Sequence, residues 1–492
     1  MASITSAGIG SGLDVESIVT KLVSLEKQPI TDLQTRTDTI KTQISEYGKI
    51  KSAFSAMRDA AAKLANPSTW AALTATSSDT TMATVIAGAG SGAGSYALSV
   101  TNLAAPQSIS SKAFATGASV GSGSMTIELG QWSGSGTSST FTGKDGTSPV
   151  SISISATDTL SSIRDKINGS GAGVLASVVT DANGQRLVIR SKDTGEANGF
   201  RITTADDDGN GSDANGLSAL AYDPTTSAVA MNLNTAAKNA NLTINGLPIS
   251  SATNNIEGAV DGLTINLLKG GTKDPADPNG VNIIPAQSTI TVGQDKDSVK
   301  KAINDFVTSY NSLMTLMRND TKYDDANKTA GALQGDSTAV GLQSQLRNIT
   351  ASGSTLGGQF GRLSDLGLDI GSDGTIKVND TKLTSALGSM GDLKNLFMGV
   401  DTTDANNNGI ARRWRAFADQ VTGFDGSITT RTTGLQARVT ANGKRVDELN
   451  DRADAYEKRL RAQYTALDTQ MAKLNDMQSY VSKITSMLSS SS

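Results

Sequence analysis

Residues 444–492 contain neither glycine nor proline, and 15 of these 49 residues are charged. Nothing in that stretch interrupts a helix, and its straight-chain charged residues favour one. The apolar positions Val446, Leu449, Ala453, Tyr456 and Leu460 alternate steps of three and four, the spacing of a coiled-coil seam. A further step of four leads to Tyr464, and the pattern resumes through Leu467, Met471, Leu474, Val481, Ile484 and Leu488. A helix of this kind cannot bury its stripe alone, so whatever the chain folds into must supply a partner.

The other end of the chain offers one. After Pro29, Ile30, Leu33, Thr37, Ile40, Ile44 and Tyr47 repeat the three/four alternation, and the stripe continues through Ile50 toward Phe54, Met57 and Leu64. Before Pro29, Ile18, Val19, Leu22, Val23 and Leu25 predict a separate, shorter helix with Asp14 as N-cap. The economical arrangement pairs the two ends with each other, and with other subunits.

Between them the period falls from 3.6 to 2. Residues 96–100, 151–155, 186–190 and 263–267 alternate as strands separated by Gly, Asn and Asp turns. One helix interrupts them, carrying Leu160, Ile163 and Ile167 after Thr159 and closed by Gly169. Residues 112–234 hold 17 of the 50 glycines and a net charge of −4, equal to that of the whole chain, and read as an inserted β-rich domain. Helical spacing returns at Asp297, an expected N-cap, with Val299, Ile303, Phe306, Tyr310, Leu313 and Met317. Shorter amphipathic pieces follow at 340–349, 383–387 and 414–424. The expected class is α+β multidomain, with terminal helices forming a coiled-coil-like stalk around two nested, mainly β domains. The boundaries run as residues 1–41 with 447–492 for the terminal helices, and 42–72 with 295–446 for a helical domain. Residues 73–111 with 235–294 form a β domain, and 112–234 the insertion.

Composition narrows the chemistry. The chain has no histidine and no cysteine, so no Ser–His or Cys–His nucleophile, imidazole or thiolate metal site, or disulfide can be built. Forty-three basic against 47 acidic side chains argue against nucleic-acid binding. No segment has the ~18 apolar residues of a membrane span, and the opening residues lack a signal peptide's basic and apolar regions. Asp206, Asp208, Asn210 and Gly211, and again Asp404, Asn406, Asn408 and Gly409, match the start of a calcium loop. The twelfth positions are Leu217 and Arg415 where a Glu is needed, so both read as turns. Gly8, Gly10 and Gly12 lack the preceding strand of a phosphate loop. Asp324 and Asp325 lie in a polar stretch without an apolar wall to perturb them. No enzymatic activity and no cofactor are expected.

Three stretches carry a family resemblance. The opening GIGSGLDVESIV (8–19), followed by Leu22, Glu26 and Pro29, is similar to the N-terminus of the flagellar filament-capping (hook-associated protein 2) family. ANLTINGLPI (240–249), with Asn255 and residues 258–267, resembles the IN motif of hook-associated proteins and flagellins, placing that motif in the first β domain. LSDLGLDI (363–370), then DGTIKV (373–378) and Lys382-Leu383, resembles a hairpin of the capping family, which residues 331–336 and 299–313 also fit. The resemblance implies a homo-oligomeric, closed ring of about five subunits at the filament tip. There it would promote folding and polymerisation of exported flagellin. Further partners implied are hook-associated junction proteins and the flagellar type III export apparatus with its chaperone. The place implied is extracellular, reached without a cleaved signal peptide. A junction or filament subunit of the same axial class is an alternative. A tip adhesin for host glycans is another, held as secondary because the insertion offers few aromatic stacking platforms: Phe114, Trp132, Phe141, Phe200 and Tyr222. Docking onto the filament or a neighbouring subunit is expected of Gly12, Leu13, Asp14, Ile18, Val19 and Leu22. On the C-terminal helix it is expected of Tyr456, Leu460, Leu467, Met471, Leu474, Val481 and Ile484.

Overall fold

Asp14 opens the first helix by accepting the Ser17 N–H at 3.0 Å, the expected N-cap. The structure, a computed structural model, describes residues 14–134, 138–210, 215–226, 228–277, 281–326 and 328–489. In chain order the helices used below are α1 (Val15–Leu64), α2 (Pro67–Ala71), α3 (Leu160–Gly169), α4 (Lys296–Thr321), α5 (Ser337–Ala351), α6 (Asp380–Ala386), α7 (Met390–Met398), α8 (Ile410–Thr422) and α9 (Ser427–Ser489). The chain divides into two units, Met1–Trp70 with Lys296–Ser492, and Ala71–Asp295.

Four helix boundaries depart from the sequence reading. α1 passes through Pro29 without a break, so there is no separate first helix. Proline removes the bond that the Leu25 carbonyl would accept. Leu25 is 64% exposed, so water can take that carbonyl, while buried Val23 and Ile30 hold the turns on either side. α9 starts at Ser427 and runs through Gly434 and Gly443, 17 residues ahead of the expected start at Lys444. Buried Ile428 and Leu435 anchor its first turns, and this packing outweighs a cost of roughly 1 kcal/mol per helical glycine. α4 begins at Lys296, which puts Asp297 in the first turn and leaves no cap role for it. α8 ends at Thr422, so Phe424 belongs to the following turn and is 91% exposed.

The first unit has one large core. Along α1 it takes Tyr47, Ile50, Phe54, Met57 and Leu64, and along α4 the whole expected stripe from Val299 to Met317. Trp414 on α8 stacks on Phe306 with ring centroids 3.7 Å apart, and its indole N–H donates to Thr350 Oγ1 at 3.2 Å. The strands Leu368–Ile370 and Ile376–Val378 form a hairpin. Asn311 of α4 holds it by donating to the Ile376 carbonyl at 2.8 Å and accepting the Ile376 N–H at 2.7 Å.

One acid in this unit is poorly served. Asp320, near the end of α4, has its Oδ2 buried without a hydrogen-bond partner. Burial raises its pKa above the ordinary value, and the negative charge of Glu46 raises it further against the opposing effect of Lys49. The folded state therefore binds this proton more tightly than the unfolded one, and the ionised carboxylate costs stability at neutral pH. That cost disappears as pH falls toward the unfolded carboxylate value of about 4. Asp320→Asn is expected to stabilise by about 1 kcal/mol at pH 7, with the gain vanishing near pH 4. Denaturant titrations at both pH values check it, and an equal effect at both would refute the assignment.

The second unit is built on strands. Its five-stranded antiparallel sheet runs in spatial order Leu73–Ser77, Ala286–Gln294, Gly94–Asn102, Ala240–Ile244, Leu247–Ser251. The last two are joined by Asn245-Gly246, both at positive φ (49° and 82°), the two-residue turn whose backbone favours Asn-Gly. A three-stranded sheet of Asn255–Glu257, Leu263–Leu267 and Ala83–Ala87 shares its core, which includes Leu98, Val100, Leu242, Ile265 and Ile290. A separate core draws on residues from Ile109 to Met231, which lie in sequence inside the first. Two four-stranded sheets enclose it with the expected helix, α3, whose Leu160, Ile163 and Ile167 are buried and whose N-cap is Thr159.

Candidate docking surface on the terminal helices

α1 and α9 run antiparallel. Lys51 reaches Thr429 at 3.4 Å, Asn442 donates to Thr37 at 3.1 Å, Arg452 meets Glu26 at 2.9 Å and Arg461 meets Glu16 at 2.6 Å. As numbers fall along α1 they rise along α9, so the two chain ends pair with each other as expected.

The base of this pair is held by a polar node. Asp336, at 6% exposure, accepts the Tyr47 hydroxyl at 2.7 Å and both Nε and Nη2 of Arg431 at 3.0 and 2.7 Å. It also caps α5 by accepting the Thr338 and Ala339 N–H groups. Burial pushes its pKa up, but the bonds from Tyr47, Arg431 and the Ala339 N–H more than offset this and leave it below the ordinary value.

Near the start of α1 sits a second, small apolar cluster. Val15, Val19 and Val23 pack with Leu460, and Leu22, Tyr456 and Tyr464 lie against them. Arg461 grips Glu16 with two bonds, at 2.6 and 2.7 Å, and reaches Glu457 at 2.8 Å. The bond from Arg461 is the main reason that the Glu16 carboxyl lies below its ordinary pKa. Pairs this exposed add little stability, but they favour one register.

These contacts divide the expected docking residues. Asp14 is a helix cap, and Gly12 and Leu13 lie outside the described residues. Ile18 is half-buried but outside the apolar cluster, whereas Val19 and Leu460 are buried, and Leu22 and Tyr456 half-buried, in or beside the clamp between the two helices. They are therefore used inside the chain. Beyond Tyr464 the situation reverses. Leu467, Leu474, Val481 and Ile484 are between 41% and 60% exposed, with Met471 half-buried. Met477 and Tyr480, at 60% and 66%, are exposed apolar side chains beside this strip, and the sequence reading missed them. Their steps of three from Leu474 were the available signal. A strip of this kind loses water contact only against another surface.

Other candidate sites are taken up by local structure. Asp404 accepts the Asn406 N–H at 2.9 Å and Asn408 Oδ1 accepts the Asp401 N–H at 2.7 Å, which is turn chemistry. Asp206 accepts from Ser218 N at 3.0 Å, and Gly211 lies outside the described residues. In the insertion, Phe200 and Tyr222 are buried, Trp132 donates to the Phe200 carbonyl, and Arg201 covers Phe141 at 4.8 Å. That leaves those aromatic faces engaged within the chain.

Comparison with known proteins adds an independent line. A family model described as the flagellar hook-associated protein 2 N-terminus matches residues 11–107, and its C-terminal counterpart matches 237–476. The flagellin hook IN motif matches residues 140–193, within the insertion, whereas 240–267 falls under the C-terminal model. This corrects the position of that motif. The chain is 31% identical to flagellar hook-associated protein 2 of Escherichia coli (strain K12), over 98% of each. It is 30% identical to the B-type flagellar hook-associated protein 2 of Pseudomonas aeruginosa, over 97% of this chain and 96% of that one. The crystal structure of the D1-D2-D3 domains of the flagellar cap protein FliD from Escherichia coli is similar at 30% identity and a TM-score of 0.51. The match covers 80% of this chain and 99% of that one.

Proposed function

Because the chain belongs to the flagellar hook-associated protein 2 family, we propose that it works as a flagellar cap subunit, seated at the filament tip by the exposed end of α9. The apolar face from Leu467 to Ile484 carries this reading, since Tyr456 and Leu460 before it are already covered by the start of α1. Copies of the chain close a ring, and exported flagellin folds and polymerises beneath it. The work is done by shape and confinement, with no bond chemistry. On this reading the protein is extracellular, leaves the cell through the flagellar type III apparatus without a cleaved signal peptide, and neighbours the hook-associated junction proteins.

Deleting the gene tests the role. Flagellin is expected in the medium as monomer, with hooks bearing no filaments, and the plasmid-borne gene should restore growth. Filaments of normal length in the deletion strain would overturn it. Light scattering on the purified protein separates this from a filament subunit, because a cap closes at one stoichiometry while a filament subunit extends without limit.

A further inference from the structure

Between the base and the clamp, the α1–α9 pair changes character. Among the described residues of α9, none from Gln436 to Arg452 is buried, and none of α1 between Ile30 and Ile40 is. At the middle of this gap the two helices meet through a polar pair, Asn442 Nδ2 donating to Thr37 Oγ1 at 3.1 Å, where an apolar seam would place two hydrophobic side chains. The next residue, Gly443, has no heavy atom within 4 Å of where a Cβ would stand. Pro29, on the clamp side of the gap, has already removed one bond from α1. Glycine and proline are where helices bend, and segments with few buried contacts and exposed backbone bonds open first.

We propose that the stalk bends at this place: beyond Val439, which still packs against the main core, residues 440–447 of α9 and 31–39 of α1 form a joint between two firmer bodies. On one side the Asp336 node ties α1, α5 and α9 to the main core. On the other, the Val15, Val19, Val23 and Leu460 cluster with the Arg461 and Arg452 ion pairs holds the clamp as a unit. The exposed end of α9 is carried on the clamp, so it changes direction without loosening the core. This joint is a property of the isolated chain and stands whether or not the capping role does.

Hydrogen exchange measured by mass spectrometry on the full-length protein tests it. Amides within 440–447 are expected to exchange about tenfold faster than those within 453–461, although the latter lie nearer the helix end. Gly443→Ala places a methyl in open space and removes the glycine penalty, so it should slow the 440–447 amides about threefold and leave 453–461 unchanged. Exchange that rises steadily from 435 to 461 would mean simple fraying from the tip and would overturn the joint. So would an alanine effect spread equally over both windows.

Discussion

Replacing Leu474 and Val481 together by aspartate is expected to abolish filament growth while leaving the protein folded. Both side chains are exposed, at 54% and 60%, and neither belongs to any core of the chain. Surface substitutions of this kind change stability by roughly 0.5 kcal/mol or less. Docking is another matter. Each apolar side chain removed from water on binding contributes about 1.5–3 kcal/mol. Losing two of them forfeits at least about 3 kcal/mol before the cost of burying two carboxylates is counted, a factor of more than about 100 in occupancy. A ring multiplies the loss, because every subunit carries the change. Circular dichroism and the melting curve should match the parent chain, while electron microscopy shows bare hooks. Filaments of normal length would show that this face is not the docking surface. Leu22→Asp makes an instructive contrast, since Leu22 lies against the clamp and its loss should first open the α1–α9 pair.

How much of this was legible in the sequence depends on the range of the interactions. The stripes of α1, α4 and α9 were readable because a helix repeats its burial every three or four residues, and the structure buries the α4 set from Val299 to Met317. Boundaries were less so. Gly434, Gly443 and Pro29 are local breakers, and only packing at Ile428, Leu435, Val23 and Ile30 carries the helices across them. The division within the C-terminal stripe was hidden for a different reason. Tyr456 and Leu467 have the same spacing and similar chemistry, and only the position of Val15 and Val19 decides that one is covered and the other open. Nor does any local pattern announce Asp336. Its partners Tyr47 and Arg431 lie 289 and 95 residues away, and a short Gly-Asp-Ser stretch reads only as a helix start.

Asp336→Ala is expected to cost about 3 kcal/mol of stability, the largest loss from any single polar change in the first unit. The substitution removes the α5 N-cap, worth about 1 kcal/mol. It also strips the Tyr47 hydroxyl, which is buried, and two charge-assisted bonds from Arg431 of their acceptor. Arg431 retains 36% side-chain exposure, so water can take up part of its guanidinium, which keeps the loss below that of a fully buried pair. Asp336→Asn keeps an oxygen for the cap and for Tyr47 but loses the charge, and should fall between the two. The pH dependence identifies the carboxylate itself. Its pKa is lower folded than unfolded, so its stabilisation is present above the unfolded value of about 4 and is lost as pH falls through the folded one. The parent chain should therefore lose stability more steeply below pH 4 than Asp336→Ala, and the gap between them should narrow there. Near-ultraviolet dichroism, which reports Trp70 and Trp414 in this core, follows the transition. A constant gap from pH 7 to pH 3 would mean that the aspartate acts through packing alone. If the node also fixes the base of the stalk, Asp336→Ala should speed hydrogen exchange at residues 428–435 while leaving the clamp at 453–461 as it was. Loosening at one end only is what two bodies separated by a joint require.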